Sequence, residues 1–512
     1  MTELETADAL QLAGYIDAAV HAYRRVLAAE PGNVAGWHGL GAAQLRAWAY
    51  GEASDALSRV VRLRPNEVGA WGLLAEALFQ LGDTEPAIDA YRRAAAADPR
   101  RAEENVAIII PGSASAANAD VLAARRRWGR QLAEGVSPVD RPPRPPSGGK
   151  LRIGYVSAFF DKPNWMKPVY GVINRHDRDR FEVHLVSLGG DPLASAGYRE
   201  HDRDVIWQVG ACDDEELARL LAAAGIDVLV DLNAYSAPKW LRLFLRRPAP
   251  VQIAWFNSFA TSGLDCFDGI VGDGVVIPPS EEGFYTERVL RVPGTYLAFE
   301  VRHAVPDVAP PPCTGNQGRL TFGALASAYK LSDLTLDIWA RILRSAPTSR
   351  LLIRASVLAE PSNRDHLRAR LANRGIADER VDLEGGAAHF DFLRSYDRID
   401  IALDTFPYNG GTTTTEALWQ GVPVLTCVGD RWVARTSASL LRAAGLDAWV
   451  AGDADDLVAR AAALARDPAT PARLAALRAG MRGRLAASAA CDTSGLCRAL
   501  EQIFGQLAAR PL

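Results

Sequence analysis

Pro31, Pro65 and Pro99 stand 34 residues apart. The same interval relates Trp37 to Trp71, Ala19 to Ala53 and Ala87, Ala22 to Ala56 and Ala90, and Tyr23 to Leu57 and Tyr91. A chain that keeps several registers at one interval builds a single supersecondary unit repeatedly, each copy stacked on its neighbour to bury a shared core. Small residues at fixed places let paired helices approach closely. A proline at the end of each period stops the second helix, because it has no amide hydrogen to donate. Residues 1–117 are therefore read as an all-α array of helix pairs.

The interval and its residues resemble the tetratricopeptide repeat. That resemblance implies a concave face able to take a protein or peptide acceptor. Another helix, about Asn118 to Glu134, follows it. The segment "VSPVDRPPRPPSGGK" (136–150) then reads as a proline-rich spacer, so residues 118–149 form a helix and linker.

From Lys150 the pattern changes. "LRIGYVSAFF", "FEVHLVSLGG", "IDVLVDLNAYS" and "PVQIAWFNS" are apolar, β-branched runs separated by helical or loop segments, the mark of a parallel sheet with crossover helices. A second break at 303–319, rich in proline, precedes another such series: "LTFGALAS", "RLLIRAS", "VDLEGG", "IDIALDTF" and "VPVLTCVG". The expected organisation is one doubly wound, Rossmann-like half at 150–302 and a second at 320–512, with a nucleotide in the cleft of such a pair.

Composition bounds the function. A chain of 512 residues has room for about three compact units. Its net charge of −4 gives no general pull toward nucleic acid. The six cysteines contain no CxxC pair, which fits reduced thiols and no metal site. The start, "MTELETADALQL", lacks a basic region followed by an apolar core, and no apolar run reaches the roughly 18 residues of a membrane span. A cytoplasmic protein without a membrane partner is expected.

Within the second half, "LDTFPYNGGTTTTEALWQGVPVLT" (403–426) places four threonines between two glycines and a glutamate. "IDIALD" reads as a buried strand and Thr412 or Thr413 as the start of a helix running through Trp419. The loop between them lies at the carboxyl end of a parallel strand, where open α/β sheets bind ligands. Gly410 and Gly411 admit close backbone approach, and the first amides of the helix, with threonine hydroxyls, suit a phosphate or diphosphate. Thr413 and Glu416 also match a capping box. Both readings stand on these residues alone.

This stretch resembles the SPINDLY and O-GlcNAc transferase family, whose bacterial members carry a "DxFPYNGGTTTxEALWxGVPVxT" segment. "LRIGYVSAFF", "DVLVDLNAYS", "RRPAPVQIAWFNSFATSGL", "YTERVLRVPG", "FGALASAYKLSDLTLDIWARIL", "HFDFLRSYDRIDIALD" and "GDRWVARTSASLL" follow in family order, from about 150 to 505. The resemblance implies a B-type glycosyltransferase fold. It also implies a metal- and cofactor-independent inverting enzyme that moves a sugar from a nucleotide donor, UDP-GlcNAc first, to Ser or Thr hydroxyls of a protein. By the same resemblance Lys330 contacts the donor diphosphate, and Gly411, Thr412 and Thr413 bind it. Glu416 contacts the ribose and His389 lies near the nucleotide. Thr261, Ser262 and Gly263 match the loop lining the cleft from the first half.

The chain departs from that pattern in places. Where the family has "SPDFRxHPV", with a histidine proposed as acid/base, this sequence reads "SAFFDKPNWMKPV", with Pro163 read at the histidine's position. Ala326 and Ser327 replace an Asn or Gln ahead of the lysine. Asp161 is the catalytic carboxylate expected to accept the proton instead, with Tyr235 the other candidate. Two alternatives accompany the main reading: a GDP-fucose-dependent O-fucosyltransferase, and a non-catalytic repeat scaffold with a relict transferase domain.

Overall fold

The computed structural model describes residues 2–96, 98–143 and 149–509. The chain forms two compact units, neither continuous in sequence. The first comprises 1–115, 310–408 and 454–475; the second comprises 116–309, 409–453 and 476–512. These units cut across the boundaries drawn from the sequence, and part of the proline-rich spacer lies outside the described residues.

The first unit opens with the repeats. Helix pairs Glu3–Leu12 with Ile16–Ala29, Val34–Arg46 with Tyr50–Leu63, and Val68–Leu81 with Thr84–Ala94 precede a further helix, Pro99–Ile109. Each marker proline follows the second helix of a pair, and Pro99 opens the next. Ala19, Ala53 and Ala87 are wholly buried, and Ala22, Ala56, Ala90, Tyr23, Leu57 and Tyr91 nearly so. The register extends into polar contacts that the sequence reading did not anticipate. Trp37 donates its indole N–H to Pro31 O at 2.8 Å, and Trp71 donates to Pro65 O at 2.9 Å. Arg59 lies over the Trp37 ring and Arg93 over Trp71, at 4.5 and 4.7 Å. The turns at Pro31 and Pro65 are thus each pinned by a tryptophan carrying a cation on its face.

The repeats do not stand apart from the α/β segment of the same unit. There, strands β8 (Thr321–Leu325), β9 (Arg350–Arg354), β10 (Val381–Glu384) and β11 (Ile401–Leu403) run parallel in the order β10-β9-β8-β11. The helix Pro361–Ala372 receives the repeats. Asn363, 1% exposed, accepts from the Gly51 amide at 3.0 Å and donates to Trp48 O at 2.8 Å. His366 Nε2 lies 2.9 Å from Asp83 Oδ2, and Arg370 donates to Leu81 O at 2.9 Å. Buried backbone groups of the repeats are therefore satisfied by this helix, so cleaving the repeats away exposes a polar docking surface as well as an apolar one.

The second unit holds a seven-stranded parallel sheet. Its strands are β1 (Leu151–Ser157), β2 (Phe181–Ser187), β3 (Val205–Gln208), β4 (Val228–Asp231), β5 (Val251–Ala254), β6 (Gly269–Asp273) and β7 (Val289–Val292), in the order β3-β2-β1-β4-β5-β6-β7. The order reverses between β1 and β4, the position at which doubly wound sheets open a crevice. A short pair, β12 (Val424–Cys427) and β13 (Val450–Ala451), also runs parallel in this unit. The C-terminal helix Thr493–Ala508 closes over the sheet. Its Glu501 meets His176 Nδ1 at 3.0 Å, while His176 Nε2 and the Tyr155 hydroxyl lie 2.7 Å apart. Among the described residues no helix is long and apolar enough to cross a membrane.

Candidate active site

The helix Thr412–Trp419 starts where the sequence suggested. Its N-cap is Gly411, which has no side chain to offer, so Thr413 lies inside the helix as its second residue and the Thr413–Glu416 capping box does not form. The threonine quartet divides two and two. Thr414 and Thr415 are buried, with Thr414 Oγ1 2.8 Å from Ser437 Oγ and Thr415 donating to Thr412 O at 2.7 Å. Thr412 and Thr413 stay partly exposed. Ser437 also donates to Gly410 O at 3.1 Å, and the Asn409 amide donates to Val433 O at 3.0 Å, which fixes the loop ahead of the helix. A Cβ at Gly410 would stand 2.5 and 2.7 Å from the hydroxyls of Thr414 and Thr413, so only glycine fits beneath them. First-turn amides lack intrahelical acceptors, and amides at a helix start beside partly exposed threonines are chemically suited to an anion.

Glu416 is turned inward on the same helix. Its Oε1 lies 3.3 Å from Lys167 Nζ, and both side chains are almost completely buried. Lys167 is the first residue of the helix Lys167–Ile173 that follows β1. Burial lowers the lysine below its ordinary range, with Glu416 opposing that shift. The sequence reading passed over Lys167. The signal was the "PV" that follows it: in "MKPV" the residue ahead of the proline is Lys167, whereas Pro163 lies in the loop before the helix.

In the first unit, Lys330 ends the short turn Ala328–Lys330 between β8 and the helix Asp333–Ser345. Its ammonium lies 4.3 Å from the centroid of Tyr408, and Tyr408 in turn meets Tyr329 edge-on. Burial lowers Lys330 from 10.5 to about 8, and the nearby Asp404 carboxylate acts against the shift. Thr335, wholly buried, holds this arrangement: it accepts from the Phe406 amide and donates to Phe406 O, both at 2.8 Å. Trp339 donates to Asp404 O at 3.0 Å. The two chain segments leaving β8 and β11 are thereby clamped by one helix, which keeps a cation beside an aromatic face rather than in open solvent.

The remaining candidates fall as follows. His389 begins the helix His389–Arg394 after β10, in the first unit, with its ring stacked on Phe392. Asp161 lies in the loop after β1, in the second unit, with its carboxylate 2.6 Å from Lys162 Nζ. Tyr235 is buried, donates to Ser262 O at 2.7 Å and lies under Arg125. Burial pushes its phenol up, so it makes a poor proton acceptor. Thr261 donates to Glu287 at 2.7 Å, and the Ser262 amide donates to the same carboxylate at 2.6 Å. The cleft-lining loop expected from sequence thus spends these groups on its own support.

Comparison with known proteins identifies the family and the fold. The model of glycosyl transferase family 41 matches residues 138–309 and 316–500, and a tetratricopeptide repeat model matches 68–101. The chain is similar to the probable UDP-N-acetylglucosamine–peptide N-acetylglucosaminyltransferase SPINDLY of Oryza sativa subsp. japonica, 29% identical with 81% of this chain and 45% of that protein covered. The protein of the same name from Arabidopsis thaliana is 31% identical, with 69% and 39% covered. The chain therefore spans less than half the length of these curated relatives. A solved structure of a lysine-to-methionine mutant of Thermobaculum terrenum O-GlcNAc transferase superposes with a TM-score of 0.81 at 33% identity, covering 99% of this chain and 97% of that one. The fold is accordingly a tetratricopeptide array followed by a B-type glycosyltransferase of two Rossmann-like parts. With its family model matched across both α/β segments, the chain belongs to glycosyl transferase family 41.

Proposed function

We propose that the protein is an inverting glycosyltransferase that moves GlcNAc from UDP-GlcNAc to Ser or Thr hydroxyls of a protein held by the repeats. The observation that carries this reading is the helix start at Gly411, Thr412 and Thr413, where two threonines stay partly exposed while Thr414 and Thr415 are packed away. Lys330 supplies the cation that neutralises the departing diphosphate, the main electrostatic task of glycosyl transfer without a metal. His389 lies near the nucleotide, and Glu416 serves the ribose. The nucleotide sugar is a substrate, and neither cofactor nor metal is required.

Asp161 is the group we assign to accept the proton of the attacking hydroxyl. Asp161→Asn keeps the size and removes the charge, so it lowers turnover about 10²-fold with donor affinity unchanged. An unaltered rate eliminates Asp161 from this role. A thermal-shift and hydrolysis screen against UDP- and GDP-sugars tests the donor assignment. Stabilisation by UDP-GlcNAc with slow hydrolysis is expected; a response to GDP-fucose alone would replace the donor, and no response to any nucleotide sugar would overturn the reading.

A further inference from the structure

The Lys167–Glu416 pair needs an explanation that stability does not supply. Both side chains are buried, with 3% and 5% exposure. Removing two charges from water costs about as much as their attraction returns, and apolar pairs of the same volume do as well or better. Lys167 also stands at the first position of its helix, where the backbone dipole disfavours a cation. The helix is anchored elsewhere without it: Gly171 packs against Thr493, where a Cβ would stand 2.5 Å from the threonine methyl.

Glu416 lies three and four residues beyond Thr413 and Thr412, so all three share one face of their helix. That face joins the two partly exposed threonines to the buried carboxylate. Lys167, 249 residues away in sequence, is the cation that meets this buried carboxylate, at 3.3 Å, and fixes its direction.

We propose that Lys167 is a positioning residue of the donor site, holding the Glu416 carboxylate for the vicinal hydroxyls of the nucleotide ribose. The proposal rests on the donor reading above and adds the residue on which ribose recognition depends. It makes Lys167 a determinant of selectivity for ribose rather than of diphosphate binding. Lys330 and Thr412 serve the diphosphate and are indifferent to the ribose hydroxyls.

The test is calorimetric titration of the full chain with two probes, uridine diphosphate and its 2′,3′-dideoxy analogue. The parent should prefer uridine diphosphate by about 10-fold or more, the scale of charge-assisted hydrogen bonds. Lys167→Met should bring that ratio close to one, and Lys167→Arg should restore most of it. Lys330→Ala should weaken both probes and leave the ratio intact. If Lys167→Met does not fold, Lys167→Gln, which keeps a polar donor toward Glu416 without the charge, is the second variant and should also lower the ratio. A parent-like ratio in whichever of these variants folds overturns the role of Lys167 while leaving the donor site standing. Failure of the parent to bind either probe overturns the donor reading and this inference together.

Discussion

Lys330→Ala lowers kcat/KM for the donor by about 10²-fold, in line with the roughly 1.5–3 kcal/mol of a hydrogen bond to a charged group. The loss falls chiefly on kcat, because the diphosphate gains its full leaving-group charge only as the glycosidic bond breaks. The pH profile carries the same assignment. In the free protein burial sets Lys330 at about 8, so the ammonium is present below that pH and is lost as pH rises through it. Hence kcat/KM, which reports the free enzyme, declines above pH of about 8. Bound diphosphate favours the ammonium, so the decline in kcat lies at higher pH. Lys330→Arg keeps its charge throughout and should remove the alkaline limb. Parent-like kinetics in Lys330→Ala would place the diphosphate elsewhere.

Gly82→Ala should be the most destabilising single methyl added to the repeats. Gly82 ends the helix Val68–Leu81 at φ +89, in the left-handed region that favours glycine. A Cβ there would stand 2.7 Å from Leu331 O and 2.8 Å from Ala328 O, and backbone carbonyls cannot swing aside. The conformational cost of about 1–2 kcal/mol and the clash together give roughly 2–4 kcal/mol. Gly14 is the control: it has φ +86 with nothing within 4 Å of its Cβ, so Gly14→Ala carries the conformational cost alone. The two carbonyls belong to the turn around Lys330, and Phe79 of the same repeat helix stacks on Tyr329 with ring centroids 5.1 Å apart. Gly82→Ala should therefore reduce donor affinity as well as the melting temperature, and Gly14→Ala only the latter. Equal melting temperatures for the two variants would show that the turn yields without cost.

The repeats were legible because their signal is local and multiplied. One register error would have misplaced every buried alanine, and none is misplaced. The parallel strands were legible for a similar reason, as apolar runs bounded by turns. Their grouping was not, because compact units depend on contacts such as Asn363 with Gly51, 312 residues away in sequence. The threonine quartet was half legible. Its place at the start of a helix after a buried strand was legible, but nothing local told Thr414 from Thr412; that distinction comes from Ser437, which packs in from another helix. Glu416 was ambiguous between cap and ligand group because its partner Lys167 lies in the other α/β half of the chain. Pairs of that separation leave no periodicity to read.

The proposed function requires transfer of a sugar from a nucleotide to a protein hydroxyl. Mass spectrometry of Ser- and Thr-containing peptides, incubated with the full chain and UDP-GlcNAc, tests it most directly. A single N-acetylhexosamine on a Ser or Thr side chain is expected, abolished or strongly reduced in Lys330→Ala. No sugar on any peptide from any UDP- or GDP-sugar, by a protein that still binds the nucleotide, would contradict it and leave a repeat scaffold that holds a donor without using it.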